Sequence, residues 1–148
     1  MHSQMILSID DARRIAEACR ASAAEHGWTM VIAIVDDGGH LMYLERMDGT
    51  QKASSVVAVE KAKTALLFKR PTKKIEDVVA SGRAVMMMLP GATPIEGGVP
   101  LVRDGQYLGA IGISGAQSSE DGVVAAAGVA CFDGIQPGPT SITSKAGK

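Results

Sequence analysis

Glu96-Gly97-Gly98-Val99-Pro100-Leu101-Val102-Arg103-Asp104-Gly105-Gln106-Tyr107-Leu108-Gly109-Ala110-Ile111-Gly112-Ile113-Ser114-Gly115 is the stretch that decides the fold of this chain. Two apolar runs flank Asp104-Gly105, and such a pair supplies the positive φ that a tight hairpin turn requires. The stretch predicts a β-hairpin. Gly109, Gly112 and Gly115 fall in or just after its second strand, where glycine weakens a sheet unless something must approach the backbone closely. They mark a close-approach surface. Gly97-Gly98 precedes the first strand as a flexible mouth, with Glu96 immediately outside it.

Downstream, Ser118-Ser119-Glu120-Asp121 has the chemistry of a helix start, and Val123, Val124, Ala127, Ala130 and Cys131 carry the helix to about Phe132. Residues 133–148 contain Gly134, Pro137, Gly138 and Pro139 and little to bury, which predicts a mobile tail beyond a single domain of residues 1–132. Upstream, Met86-Met87-Met88-Leu89-Pro90 is a soft apolar segment, and a fifth strand within 83–96 stays open. The methionines read as fillers of core gaps or of an interface between copies.

Further upstream, Thr72 starts a short helix with Ile75, Val78 and Val79 inside and a stop at Gly82. Ser54 or Ser55 caps a longer one whose inward stripe is Ala58, Val59, Ala62, Ala65 and Leu66, with Lys61 and Lys63 off that face. Thr29 to Val35 is apolar at almost every position and β-branched, the pattern of a central strand covered on both sides. Asp36-Asp37-Gly38-Gly39 turns it into a second strand, His40 to Arg46. The first helix starts at Ser8, buries Ile9, Ala12, Ala16, Cys19 and Ala23, and stops at Gly27. The order helix, hairpin, two helices, hairpin, helix gives an α+β domain with an antiparallel sheet and helices packed on it.

Composition narrows the function. A chain of 148 residues can bury roughly 70% of its unfolded surface, enough for one core. The formal net charge of −1, with mixed charge along the chain, gives no footprint for nucleic acid or an anionic membrane. Aromatic residues make up 3%, too few for a base-stacking platform. Cys19 and Cys131 are the two cysteines, so neither a disulfide framework nor a cysteine zinc site is indicated. With no secretory leader and no apolar run of membrane length, the expectation is a cytoplasmic protein. G-x-S-x-G, P-loop, CxxC and HExxH patterns are absent, which removes the common hydrolase, nucleotide and zinc readings.

Ile34-Val35-Asp36-Asp37-Gly38-Gly39-His40-Leu41, then Arg46-Met47-Asp48-Gly49, then Lys61-Ala62-Lys63-Thr64-Ala65, resembles the GlcG/HbpS haem-binding family, which includes the C-terminal domain of PduO proteins. Glu96-Gly97-Gly98-Val99-Pro100, Gly109 to Gly115 and Glu120-Asp121 fit the same pattern in the same order, so the resemblance spans about residues 7 to 132. The sequence departs from it at Gly122, where an acidic residue often follows the Asp. The resemblance implies a profilin-like fold, self-association, often as octamers, and a haem or related tetrapyrrole ligand. It also implies an alternative: a lyase without cofactor that releases ammonia from a hydroxylamino-aromatic acid, such as hydroxylaminobenzoate, in aromatic catabolism.

Each reading names its residues. For haem, His40 at the start of a strand is the placeable imidazole, or else an exposed turn histidine, and Thr93 is an oxygen ligand on family grounds alone. Asp48 and Asp121 complete the ligand-binding set with Gly97 and Gly98, although Asp121 at a helix start is equally a capping residue. For the lyase, Glu96 is the acid that protonates the leaving oxygen and Arg46 the guanidinium that holds the substrate carboxylate. The plainer reading of Glu96 is a bond to the hairpin backbone, and of Arg46 and Asp48 an ordinary surface pair. Lys69, Arg70, Lys73 and Lys74 form a basic connection, either solvated or an anion-recruiting patch.

Overall fold

A computed structural model describes residues 1–138. The first helix, α1 (Ile9–Glu25), opens with the Ser8 hydroxyl accepting from the Asp11 amide at 3.1 Å. Ala12, Ile15, Ala16, Cys19 and Ala23 are its buried residues, while Ile9 is exposed. Strand β1 (Val31–Asp36) is buried from Val31 to Val35, and β2 (Leu41–Arg46) returns beside it. Helices α2 (Ser54–Leu67) and α3 (Thr72–Ala80) follow, then a short 3₁₀ helix (Ala84–Met88). The hairpin of β3 (Gly98–Arg103) and β4 (Gln106–Ser114) leads into α4 (Ser118–Gly134). Asp104 and Gly105 both have positive φ, at 50° and 74°, as the tight turn demands.

Among the described residues the sheet has four strands, antiparallel throughout, in the order β2-β1-β4-β3. The open question of a fifth strand is thus answered: residues 84–88 are 3₁₀ and the loop after them joins no ladder. Ile32, Ile34, Ile111 and Ile113 face α1 and α4, and Val31, Ala33, Val35 and Ala110 face α2. This two-sided cover explains why β1 is apolar at consecutive positions. Each of these valines and isoleucines contributes on the order of 1.5–3 kcal/mol by leaving water, and the alanines less.

Helix α2 docks with almost no side chain between it and the sheet. A Cβ on Gly112 would run into the Ala58 carbonyl, and one on Gly98 into the Lys61 carbonyl. Gly98 and Gly112 are therefore the imprint of a helix backbone, whereas Gly109 makes room for the Val35 carbonyl of β1. Helix α2 begins at Ser54, but no serine caps it: Ser54 is buried, with its Oγ 3.2 Å from the donating Ser114 hydroxyl. The start of α4 is capped by Gln117, paired with Glu120 in a capping box.

Helix α4 runs to Gly134, two residues past the expected end, and Ile135 is buried. Arg103 of β3 donates to the carbonyls of Phe132 (2.5 Å) and Ile135 (2.6 Å) and lies over the Phe132 ring. The stretch expected as a tail therefore starts packed, and residues 139–148 lie outside the described residues. Among the described residues, no helix is long and apolar enough to cross a membrane.

Candidate functional site

The mouth at Gly97-Gly98 is rigid. Gly97 has φ +133°, and its carbonyl accepts from the Ile113 amide at 2.9 Å. The Gly98 amide donates to Thr72 Oγ1 at 2.9 Å. Thr72 is the first residue of α3, behind Pro71, and uses its hydroxyl on the mouth rather than on its helix.

Beneath Gly97 lies Lys61, where a Cβ at 97 would come 2.9 Å from its Nζ. Lys61 was expected off the inward face of α2; it is buried, with 2% of its side chain exposed. Its Nζ donates to the Ile113 carbonyl and to Asp121 Oδ2, both at 3.0 Å. The other Asp121 oxygen accepts from the Ala116 amide at 3.2 Å, so both carboxylate oxygens are engaged within the chain. Burial pushes the Asp121 carboxyl above its ordinary pKa, against the pull of the Lys61 ammonium. The pair joins α2, the end of β4 and the first turn of α4 under the mouth.

Glu96 lines that mouth with its side chain 18% exposed. One oxygen stands 3.9 Å from Lys73 Nζ and the other lies against Gly122 of α4. Lys73 binds Asp77 more closely, at 3.0 Å, and the Asp77 carboxylate, with Glu96 beyond it, holds the ammonium above the ordinary lysine pKa. Thr93 lies three residues before Glu96 in the chain, its amide donating to Thr64 Oγ1 at 2.9 Å. Val85, Met87, Met88 and Ile95 are exposed on the same connection. The methionines therefore do not fill the core.

The remaining candidates lie elsewhere. Arg46 pairs with Val31, which pairs with Ser114, so Arg46 shares the mouth's end of the sheet but sits on the opposite edge strand. Three strand spacings, about 14 Å, separate it from β3. Arg46 and Asp48 line an open cleft of about 360 Å³ with Arg20, Glu45 and Met47, in which Arg20 holds Glu45 at 2.9 Å. A second open cleft of similar volume has Lys69 of the basic connection in its lining, with Gln4, Asp37 and Tyr107, and none of the haem or lyase candidates. His40 is at the far end of β2 with its side chain 82% exposed. Its amide and that of Gly38 donate to Asp36 Oδ1 at 2.9 Å. Burial raises the Asp36 carboxyl, but these amides and the imidazole outweigh it and leave the pKa below the ordinary value.

The structure thus brings Glu96, Gly97, Gly98 and Asp121 together, with Thr93 near them, and places Arg46 with Asp48 and His40 at two other positions. Among the described residues, no three His, Cys, Asp or Glu side chains converge as a metal site. Lys61, Thr64, Thr72 and Gly122 are the site residues that sequence reasoning missed.

A family model described as "Haem degrading protein HbpS-like" matches residues 7–130. Protein GlcG of Escherichia coli (strain K12) is 43% identical over 114 residues, covering 77% of this chain and 85% of that protein. The solved structure of Klebsiella pneumoniae protein ORFY superposes with a TM-score of 0.84 at 26% identity, over 91% of this chain and 97% of its own. The solved PduOC:haem complex superposes with a TM-score of 0.79 at 30% identity, over 90% and 98% of the two chains.

Proposed function

The chain belongs to the HbpS-like family, and from that premise we propose that it is a homo-oligomeric protein that binds haem or another tetrapyrrole. The observation that carries this reading is its similarity, over nearly all of the chain, to a solved haem complex. Within one copy the residues fit the wall of a haem site rather than a closed slot. Val85, Met87, Met88 and Ile95 offer exposed apolar surface with thioethers, and Thr93 an oxygen, whereas both clefts are open and near the lower end of ligand-pocket volumes. A flat macrocycle on that wall needs a second copy to exclude water, which ties binding to self-association, with an octamer as the expected assembly. Bound haem would supply an iron centre; this chain's part is to hold the ring and to offer Thr93 to the metal, with His40, at the far end of β2, reaching it only from a neighbouring copy. A visible absorption titration with haem, run beside a mass measurement of the assembly, tests it. A saturable, sharp Soret shift at a fixed haem-to-subunit ratio is expected, and a broad, non-saturating change overturns the reading.

One observation favours a second reading, the lyase acting on a hydroxylamino-aromatic acid without cofactor. Glu96 holds a largely covered carboxylate beside a rigid mouth, where a proton donor would stand. Arg46 would anchor the substrate carboxylate, and its place on the other edge of the sheet requires it to come from a neighbouring copy. Loss of ammonia release in Glu96→Gln, with assembly unchanged, is the expected result; unchanged turnover overturns the role of Glu96.

A further inference from the structure

Gly122 lies inside α4, where glycine costs about 1 kcal/mol relative to alanine. Its φ is not in the left-handed region, so the backbone does not demand glycine. What fills the space of a side chain is Glu96: a Cβ at 122 would overlap Glu96 Oε2 and stand 2.8 Å from its Cδ and 3.0 Å from its Cγ. The Glu96 amide is directed toward Glu76 Oε1 at 3.4 Å, and the next two residues are pinned by Ile113 and Thr72, so the backbone that carries this carboxylate is fixed. Only its side chain has freedom, and α4 is where that side chain rests.

We propose that Gly122 is the positioning residue of Glu96: the missing Cβ builds a seat that holds the carboxylate against α4, at the Gly97-Gly98 mouth and beside Lys73. A side chain at 122 takes that seat, and Glu96 then turns toward solvent. The atoms displaced are the far end of a flexible side chain, so the fold survives the exchange. The seat is independent of what the carboxylate acts on; only its use in proton transfer rests on the lyase reading.

The experiment compares wild type with Gly122→Ala by esterifying carboxyl groups with a diazo reagent and mapping the modified peptides by mass spectrometry. Glu60, half-exposed on α2, serves as internal reference. Several-fold faster esterification of Glu96 in Gly122→Ala, with Glu60 unchanged, is expected; equal rates at Glu96 overturn the proposal. Thermal melting gives a second readout. Alanine at 122 improves helix propensity, and this gain should be larger in a Glu96→Ala background, where the seat is empty. Equal gains in the two backgrounds overturn the seat. Turnover of a hydroxylamino-aromatic acid, assayed on the same samples, fails or succeeds separately and bears on the lyase alone.

Discussion

Lys61 and Asp121 stand 60 positions apart in the chain and meet at 3.0 Å with 2% and 3% of their side chains exposed. Taking two charges out of water costs several kcal/mol each, so this pair is tolerated only because both partners are held and additionally hydrogen-bonded. It fixes the floor of the mouth.

Removing one partner leaves a buried charge unpaired, and Lys61→Met should cost about 3–5 kcal/mol in chemical denaturation. The deficit should depend on pH. Burial already raises the Asp121 pKa, so the folded chain binds that proton more tightly than the unfolded chain. Its contribution to stability is then fullest below the unfolded value and declines as pH rises through the folded one. Without Lys61 the folded value rises further, and the Lys61→Met deficit should shrink on acidification. A deficit that does not change with pH would sink this account.

Gly112→Ala drives a Cβ into the Ala58 carbonyl, a backbone atom that cannot step aside. It should cost at least about 3 kcal/mol or prevent folding, the upper range for overpacking. Gly134→Ala, with open space around it, is the control and should be nearly neutral in thermal melts.

Arg103 holds two carbonyls at the end of α4 with one guanidinium. Arg103→Ala should lower stability by about 1.5–3 kcal/mol, and Arg103→Lys should recover only part, because an ammonium lacks the planar fork. Faster amide exchange confined to the last turn of α4 would locate the loss.

Cys19 is fully buried, and burial, with Cys131 near it, pushes its thiol up to about 12. Native protein in mildly alkaline buffer should therefore keep Cys19 unalkylated by iodoacetamide, whereas denatured protein should take two labels. Rapid modification of native Cys19 would contradict the packing of α1 on α4.

The hairpin, the buried central strand and the element order were legible because each is written locally, in a turn pair, a β-branched run or a helix stop. Lys61 was not, although Ser54, Ala58, Lys61 and Ala65 recur at helical spacing and all are buried. A stripe scored by apolarity passes over a lysine, and the carboxylate that allows it to be buried belongs to a helix sixty positions on. The seat at Gly122 was hidden for the same reason: glycine in a helix looks like a local weakness until its distant occupant is known. Thr72 read as a helix starter because its partner, the Gly98 amide, lies across the fold. Arg46, His40 and Glu96 stand out in the sequence as chemistry-bearing types, and spacing alone does not say that the sheet places them at three separate positions.

The central place of β1, between β2 and β4, also governs how the chain is made. Ile32 finds its partner Ile113 only after nearly all of the domain has been translated. Until then the ribosome displays a strand that is apolar on both faces, with β2 as its only partner in the sheet. Such a nascent chain is exposed to misassociation, and its folding is slow because the contacts that complete the sheet are so far apart in sequence. A product terminated before Ser114 should accumulate as insoluble material, whatever ligand the finished protein holds.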